Sequence, residues 1–188
     1  MLVMTTNHRL IYLIGAPGAG KSTMMAHLTD CFDREHVPGT DTAPAYDLLK
    51  YTDGEVAGVE LGKRRPQFSG TDALPASIIE KAIPWLNTKP FRLVFAEGAR
   101  LANKRFLDAA VAAGYEVHLG WLNHPDVDAW RAARSAEVGK VQSESWVKGR
   151  VTAVTKLVEN YINRPERGVK VYVGGPEQLT SDMEHLLG

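Results

Sequence analysis

Leu10-Ile11-Tyr12-Leu13-Ile14-Gly15-Ala16-Pro17-Gly18-Ala19-Gly20-Lys21-Ser22-Thr23 carries three features in immediate succession. Five apolar residues form a continuous run, as buried parallel strands do. A turn with glycines at 15, 18 and 20 follows, and Lys21-Ser22-Thr23 opens a helical pattern that extends over residues 21–32. Gly15-x-x-x-x-Gly20-Lys21-Ser22 satisfies the phosphate-binding loop pattern in full, in the strand–turn–helix setting that gives the pattern its meaning. The chemistry follows from the residue types. Glycines let the backbone curl until successive N–H groups point at phosphate oxygens. The helix N-terminus adds its positive dipole end. Lys21 supplies a point charge for the β- and γ-phosphates, and the Ser22 hydroxyl suits Mg²⁺. Residues 15–23 are therefore the expected ATP-binding segment, with Thr23 in packing or a secondary phosphate contact.

Outward from this unit, apolar strand candidates alternate with helical patterns. The further strands are expected at 36–40, 92–96, 116–122 and 169–173. Helices are expected at 43–50, 75–86, 103–113, 126–134, 145–161 and 177–187. Such alternation predicts one α/β domain over residues 1–188, a parallel sheet covered on both faces. Residues 51–71 break the pattern with Gly54, Gly58, Gly62, Pro66 and Gly70, and read as a long loop of the kind that recognises substrate. The substrate-binding segment is placed at about 42–90.

Ligands in open α/β sheets bind beyond the carboxyl ends of the strands. Glu97 stands at such an end and is expected to hold Mg²⁺ with Ser22 or to orient the acceptor, with Arg100 just beyond it. Asp41, after the weak second strand, is the expected base for an acceptor hydroxyl. Arg131 and Arg134 share a helix face. With Lys148 and Arg150 they form a candidate lid at 131–150, whose cations would offset the charge of a transferring phosphoryl group. Gly175-Pro176, after the last strand, is the expected seat of the adenine. Lys63, Arg64 and Arg65 form a second basic cluster suited to anion contact.

Composition narrows the class. With 188 residues and 44% apolar content the chain can bury a core, and its 22 basic and 22 acidic residues balance. Zero net charge counts against a dedicated nucleic-acid binder; residues 131–156 nevertheless hold six basic side chains against two acidic ones. The single cysteine, Cys31, excludes an intrachain disulfide and reads as a buried thiol. The polar first nine residues lack a signal-peptide core, and no apolar run reaches the length of a membrane span; a cytoplasmic protein is expected, with no membrane partner. The short chain, the lack of an Asn-Lys-x-Asp motif and the single carboxylate of Phe95-Ala96-Glu97-Gly98 favour a kinase over a GTPase or motor ATPase.

Two stretches are more specific: Phe68-Ser69-Gly70-Thr71-Asp72-Ala73-Leu74 and Ser145-Trp146-Val147-Lys148-Gly149-Arg150. With the phosphate loop, they resemble segments of phage P-loop nucleotide kinases, among them the 5-hydroxymethyluracil DNA kinases. The resemblance implies a three-layer sandwich with a five-stranded parallel sheet of order 2-3-1-4-5, carrying a lid and a substrate-loop insertion. It implies in-line transfer of the ATP γ-phosphoryl group to a hydroxyl or phosphate, on modified-base DNA or a free nucleotide. Arg64, Arg65, Phe68, Ser69, Thr71 and Asp72 then join Glu97, Arg100, Lys148 and Arg150 as candidate substrate contacts.

Overall fold

The computed structural model describes residues 7–188. Its centre is β1 (Arg9–Gly15), whose side chains are buried on both faces. β1 pairs in parallel with β5 (Leu93–Glu97) on one side and β6 (Glu116–Leu122) on the other. Beyond β6 lies β7 (Val169–Gly174), also parallel, and beyond β5 lies β4 (Val56–Leu61). Two more strands, β3 (Tyr46–Lys50) and β2 (Asp33–Val37), extend that side by antiparallel pairing. The sheet therefore has seven strands in the order β2-β3-β4-β5-β1-β6-β7.

This corrects the expected five-stranded sheet. The parallel part, β4-β5-β1-β6-β7, follows the 2-3-1-4-5 connectivity, but its second member is Val56–Leu61, inside the segment read as a loop. The expected helix at 43–50 is the strand β3. The physical reason lies in Asp47, Glu60 and Gly58. Asp47 and Glu60 interrupt the apolar alternation of their strands, yet both are buried, because Arg34 of β2 pairs with each. Gly58 resembles a loop glycine in sequence; in the sheet, a Cβ there would collide with the Leu93 carbonyl of the neighbouring strand.

Helices cover both faces. α1 (Lys21–Leu28) and α6 (Pro176–Met183) pack on Ile11, Leu13, Phe95 and Leu122. α2 (Ile79–Asn87), α3 (Lys104–Ala112) and α5 (Glu144–Glu159) cover the other face around Tyr12, Val94, Phe106 and Leu157. Burial at about 25 cal/mol per Å² of apolar area makes these two layers the main stabilising term. α3 starts where the Asn103 side chain accepts from Phe106 N at 3.0 Å. α5 is capped by Ser143, which accepts from Trp146 N, so the expected cap at Ser145 shifts by two residues. α4 (Val127–Val138) runs four residues past its expected end, to a left-handed Gly139. Cys31 is exposed after α1, against the expectation of a buried thiol. Among the described residues no helix is long and apolar enough to cross a membrane.

Candidate active site

The phosphate loop joins β1 to α1, with Gly18 at φ 79° and Gly20 at φ 90°. Both values lie in the left-handed region that only glycine enters without strain. Gly18 is constrained a second time, because a Cβ there would stand 2.8 Å from Arg131 Cβ of α4. The Lys21 ammonium folds over the loop and donates to the carbonyls of Gly15 and Ala16, at 3.2 and 3.1 Å. Burial lowers the Lys21 pKa, opposed by the negative charges of Glu97 and Asp72. Thr23 is exposed one residue beyond Ser22.

Ser22 and Glu97 meet. The Ser22 hydroxyl donates to Glu97 Oε1 at 2.9 Å. Glu97 is 2% exposed, and burial pushes its carboxyl up to about 7; the Ser22 hydrogen bond and the Lys21 charge act in the opposite direction. A hydroxyl and a carboxylate oxygen at this spacing form half of a hard-oxygen site. Mg²⁺ is commonly held by one or two such protein groups plus phosphate oxygens and water. Among the described residues no group of three or more His, Cys, Asp or Glu able to hold a metal occurs; Ser22 and Glu97 would fit an ion held mainly by phosphate and water. When bound, the ion would offset phosphate charge.

Gly70-Thr71-Asp72 forms the wall beside Glu97. Thr71 is fully buried; its hydroxyl donates to the Glu97 carbonyl at 2.9 Å and lies 3.3 Å from the Tyr12 hydroxyl. Thr71 therefore holds the wall and is closed to ligand. Gly70, at φ 62°, leaves room for Glu97: a Cβ would stand 2.6 Å from Oε1. Asp72 accepts from Ala99 N at 2.8 Å through one carboxylate oxygen, and its charge acts on Lys21, Glu97 and Tyr12. Arg100 is turned aside, donating through Nε to the Leu74 carbonyl.

Over the loop lies a cavity of about 1360 Å³, lined by Gly18–Gly20 and Thr23, by Trp130 and Arg134 of α4, and by Pro176 of α6, among others. Gly175 and Pro176 open α6 at its rim. Trp130 stacks on His124 with ring centroids 4.7 Å apart. Arg134 and Arg150 are both close enough to act on the Lys21 charge. Arg131 is turned the other way; its guanidinium pairs with Asp128 beside a smaller hollow on the opposite side of α4.

The model of the P-loop Nucleotide Kinase3 family matches residues 6–188, nearly the whole chain. The chain belongs to that family. No curated protein matches it. Membership fits the phosphate loop and makes this P-loop nucleotide kinase a nucleotide-binding phosphotransferase by class.

Not every expected site residue converges in this kinase. Asp41 is exposed on the β2–β3 connection. That connection does face the carboxyl edge of the sheet, because two antiparallel pairings return β2 to the direction of β4. But β3 and β4 separate β2 from β5, roughly 14 Å at about 4.8 Å per strand. The adjacency to the Glu97 strand that motivated Asp41 is absent. Arg64 also departs from the expected open cluster: its guanidinium donates to Thr29 Oγ1 at 2.9 Å, and its backbone N–H to Asp47 Oδ2 at 3.3 Å. Lys63, Arg65, Phe68 and Lys148 stay exposed, with Ser69 half-buried.

Sequence reasoning missed a second ionic layer on the α1 side of the sheet. Arg34 Nη1 lies 2.9 Å from Asp47 and Arg34 Nη2 lies 2.7 Å from Glu60; His36 Nδ1 lies 2.7 Å from the other Asp47 oxygen. Burial raises the Glu60 pKa, opposed by Arg34. A single acid inside each largely apolar strand, Asp47 in β3 and Glu60 in β4, was the available signal.

Proposed function

We propose that this kinase transfers the γ-phosphoryl group of ATP to the hydroxymethyl group of 5-hydroxymethyluracil in DNA. The observation that carries a hydroxyl acceptor is the Asp72 carboxylate, held by Ala99 N within electrostatic reach of both Lys21 and Glu97. A hydroxyl must lose its proton as it attacks, so a positioned carboxylate accelerates it. In balance, the hydroxymethyl oxygen bonds to the γ-phosphorus, the bond from that phosphorus to the β–γ bridging oxygen breaks, ADP leaves, and Asp72 accepts the proton. Lys21 and Arg134 stabilise charge on the transferring group, and Arg150 supports them. Asp72 takes the role that sequence position alone gave to Asp41. The acceptor base itself rests on the resemblance of residues 68–74 and 145–150 to the hydroxymethyluracil DNA kinases.

The second reading is a deoxynucleoside monophosphate kinase, favoured by zero net charge. A phosphate acceptor is already ionised and needs no base. One experiment separates the two: labelled ATP offered in parallel with free deoxynucleoside monophosphates, plain DNA and hydroxymethyluracil DNA, using the wild type, Asp72→Asn and Asp41→Asn. Label entering only hydroxymethyluracil DNA, with Asp72→Asn reduced by about 10²-fold in kcat and Asp41→Asn active, is the expected result. Label entering only free monophosphates overturns the reading, and full activity of Asp72→Asn with loss in Asp41→Asn returns the base to Asp41.

A further inference from the structure

Phe68 combines a left-handed backbone with an exposed aromatic side chain. Its backbone is at φ 51°, a region that bulky L-residues enter only when the surrounding structure holds them there. Its side chain is 67% exposed, so no packing rewards the strain. The loop around it is nevertheless built firmly. Lys63 and Gly70 bridge its base, and Arg64 is anchored inward on Thr29 and Asp47. Arg65 Nε donates to the Phe68 carbonyl at 2.9 Å, and Arg65 N to Ser69 Oγ at 3.3 Å. A fixed frame thus presents an aromatic ring to solvent.

The loop borders the active site, because Pro66 lines the cavity over the phosphate loop. Arg134 Nη2 of α4 donates to the Pro66 carbonyl, two residues before Phe68, at 3.1 Å. On α5, Trp146 is 46% exposed and lies one helical turn before Arg150, on the same face. Lys63 and Arg65 are exposed on the loop, and Lys148 is exposed on α5. Additional cations and two exposed aromatics outside the pocket suit a longer anionic ligand, since stacking platforms flanked by basic residues bind single-stranded nucleic acid.

We infer that the 63–70 loop grips an unpaired segment of the DNA acceptor. Phe68 stacks on a base next to the reacting nucleotide, Lys63 and Arg65 neutralise its phosphates, and Trp146 supplies a second stacking surface. The inference rests on the DNA reading proposed above and names how that site holds a polymer.

The test uses a fluorescein-labelled unmodified oligothymidylate without ATP, followed by anisotropy across a salt series. The wild type should bind with salt-sensitive affinity. Phe68→Ala should lose about tenfold or more, Phe68→Tyr should retain affinity, and the Lys63→Gln/Arg65→Gln pair should flatten the salt dependence by about two phosphate contacts. On hydroxymethyluracil DNA, Phe68→Ala should raise KM more than it lowers kcat. Wild-type affinity in Phe68→Ala overturns the inference. So does loss of self-association in that variant, read by sedimentation, with DNA binding intact. No oligonucleotide binding by a wild type that phosphorylates free nucleotides also overturns it, while the kinase reading stands. Phe68-dependent binding without any phosphoryl transfer supports the grip and rejects the proposed reaction instead.

Discussion

The Ser22 hydroxyl donates a 2.9 Å hydrogen bond to Glu97 Oε1, joining the phosphate loop to the end of β5 across 75 residues of sequence. The bond ties the protonation of one buried carboxyl to the state of the nucleotide site. Burial raises Glu97 from its ordinary 4.5 to about 7. A carboxyl raised on folding contributes stability fully below its unfolded value and loses it as pH rises through the folded one. Thermal stability of the ligand-free protein should therefore fall across the window from 4.5 to about 7. Glu97→Gln should flatten that slope. Affinity for Mg²⁺ with ATP should rise through the same window, because the cation needs the ionised form. Melting curves for wild type and Glu97→Gln across pH, with and without Mg²⁺ and ATP, check both; identical slopes would contradict the assignment.

Lys21→Ala should abolish phosphoryl transfer and leave the fold intact. Among the described residues, the Lys21 ammonium hydrogen-bonds only to the loop carbonyls of Gly15 and Ala16. Its removal deletes a charge that stabilises the transferring group, on the order of several kcal/mol in such sites. Turnover near the wild-type rate would remove the kinase assignment; a collapsed melting temperature would show that Lys21 also supports the loop.

The two lid arginines should differ. Arg134 lines the cavity over the phosphate loop, whereas Arg131 pairs with Asp128 on the other side of α4. Arg134→Ala should lower kcat by more than it raises the KM for ATP, and Arg134→Lys should not restore it fully, since lysine lacks the planar fork. Arg131→Ala should act more weakly on kcat. Steady-state kinetics with both variants decide; equal effects would mean that Arg131 turns inward when nucleotide binds.

Arg34 holds Asp47 and Glu60 together beneath the β2–β4 extension. Breaking a buried pair by removing one partner costs about 3–5 kcal/mol, because an uncompensated charge remains. Arg34→Ala should lower Tm by roughly 10 °C, from about 2–4 °C per kcal/mol in a chain of this size. Adding Asp47→Asn and Glu60→Gln should recover part of the loss, and calorimetry of the single and triple variants measures it.

Much of the centre was legible in the sequence. The run from Leu10 to Ser22 fixes a strand, a phosphate loop and a helix start by local rules alone: apolar continuity, glycine placement and the Lys-Ser pair. The strands at 92–96, 116–122 and 169–173 are apolar enough to be read the same way, and Glu97 falls at the carboxyl end where ligands bind. Asn103 and Gly114 mark the ends of α3 by side chain and backbone conformation.

The sheet's other wing and the acceptor side were settled only by tertiary structure. Whether Asp47 and Glu60 belong in strands depends on Arg34, which is distant from both in sequence and reaches them only once β2, β3 and β4 align. Whether Gly58 is a loop or a strand glycine depends on how closely Leu93 approaches it. In sequence, Asp41 reads as the base because it follows a strand, and Asp72 reads only as a substrate contact. Asp72 is held beside Glu97 because the Gly70–Asp72 turn packs against the end of β5, while Asp41 lies three strands away. Local patterns determine which short segments can form and which residue types can bind phosphate. Pairing between distant strands determines which charged groups meet, because a buried charge is stable only where its partner is brought to it.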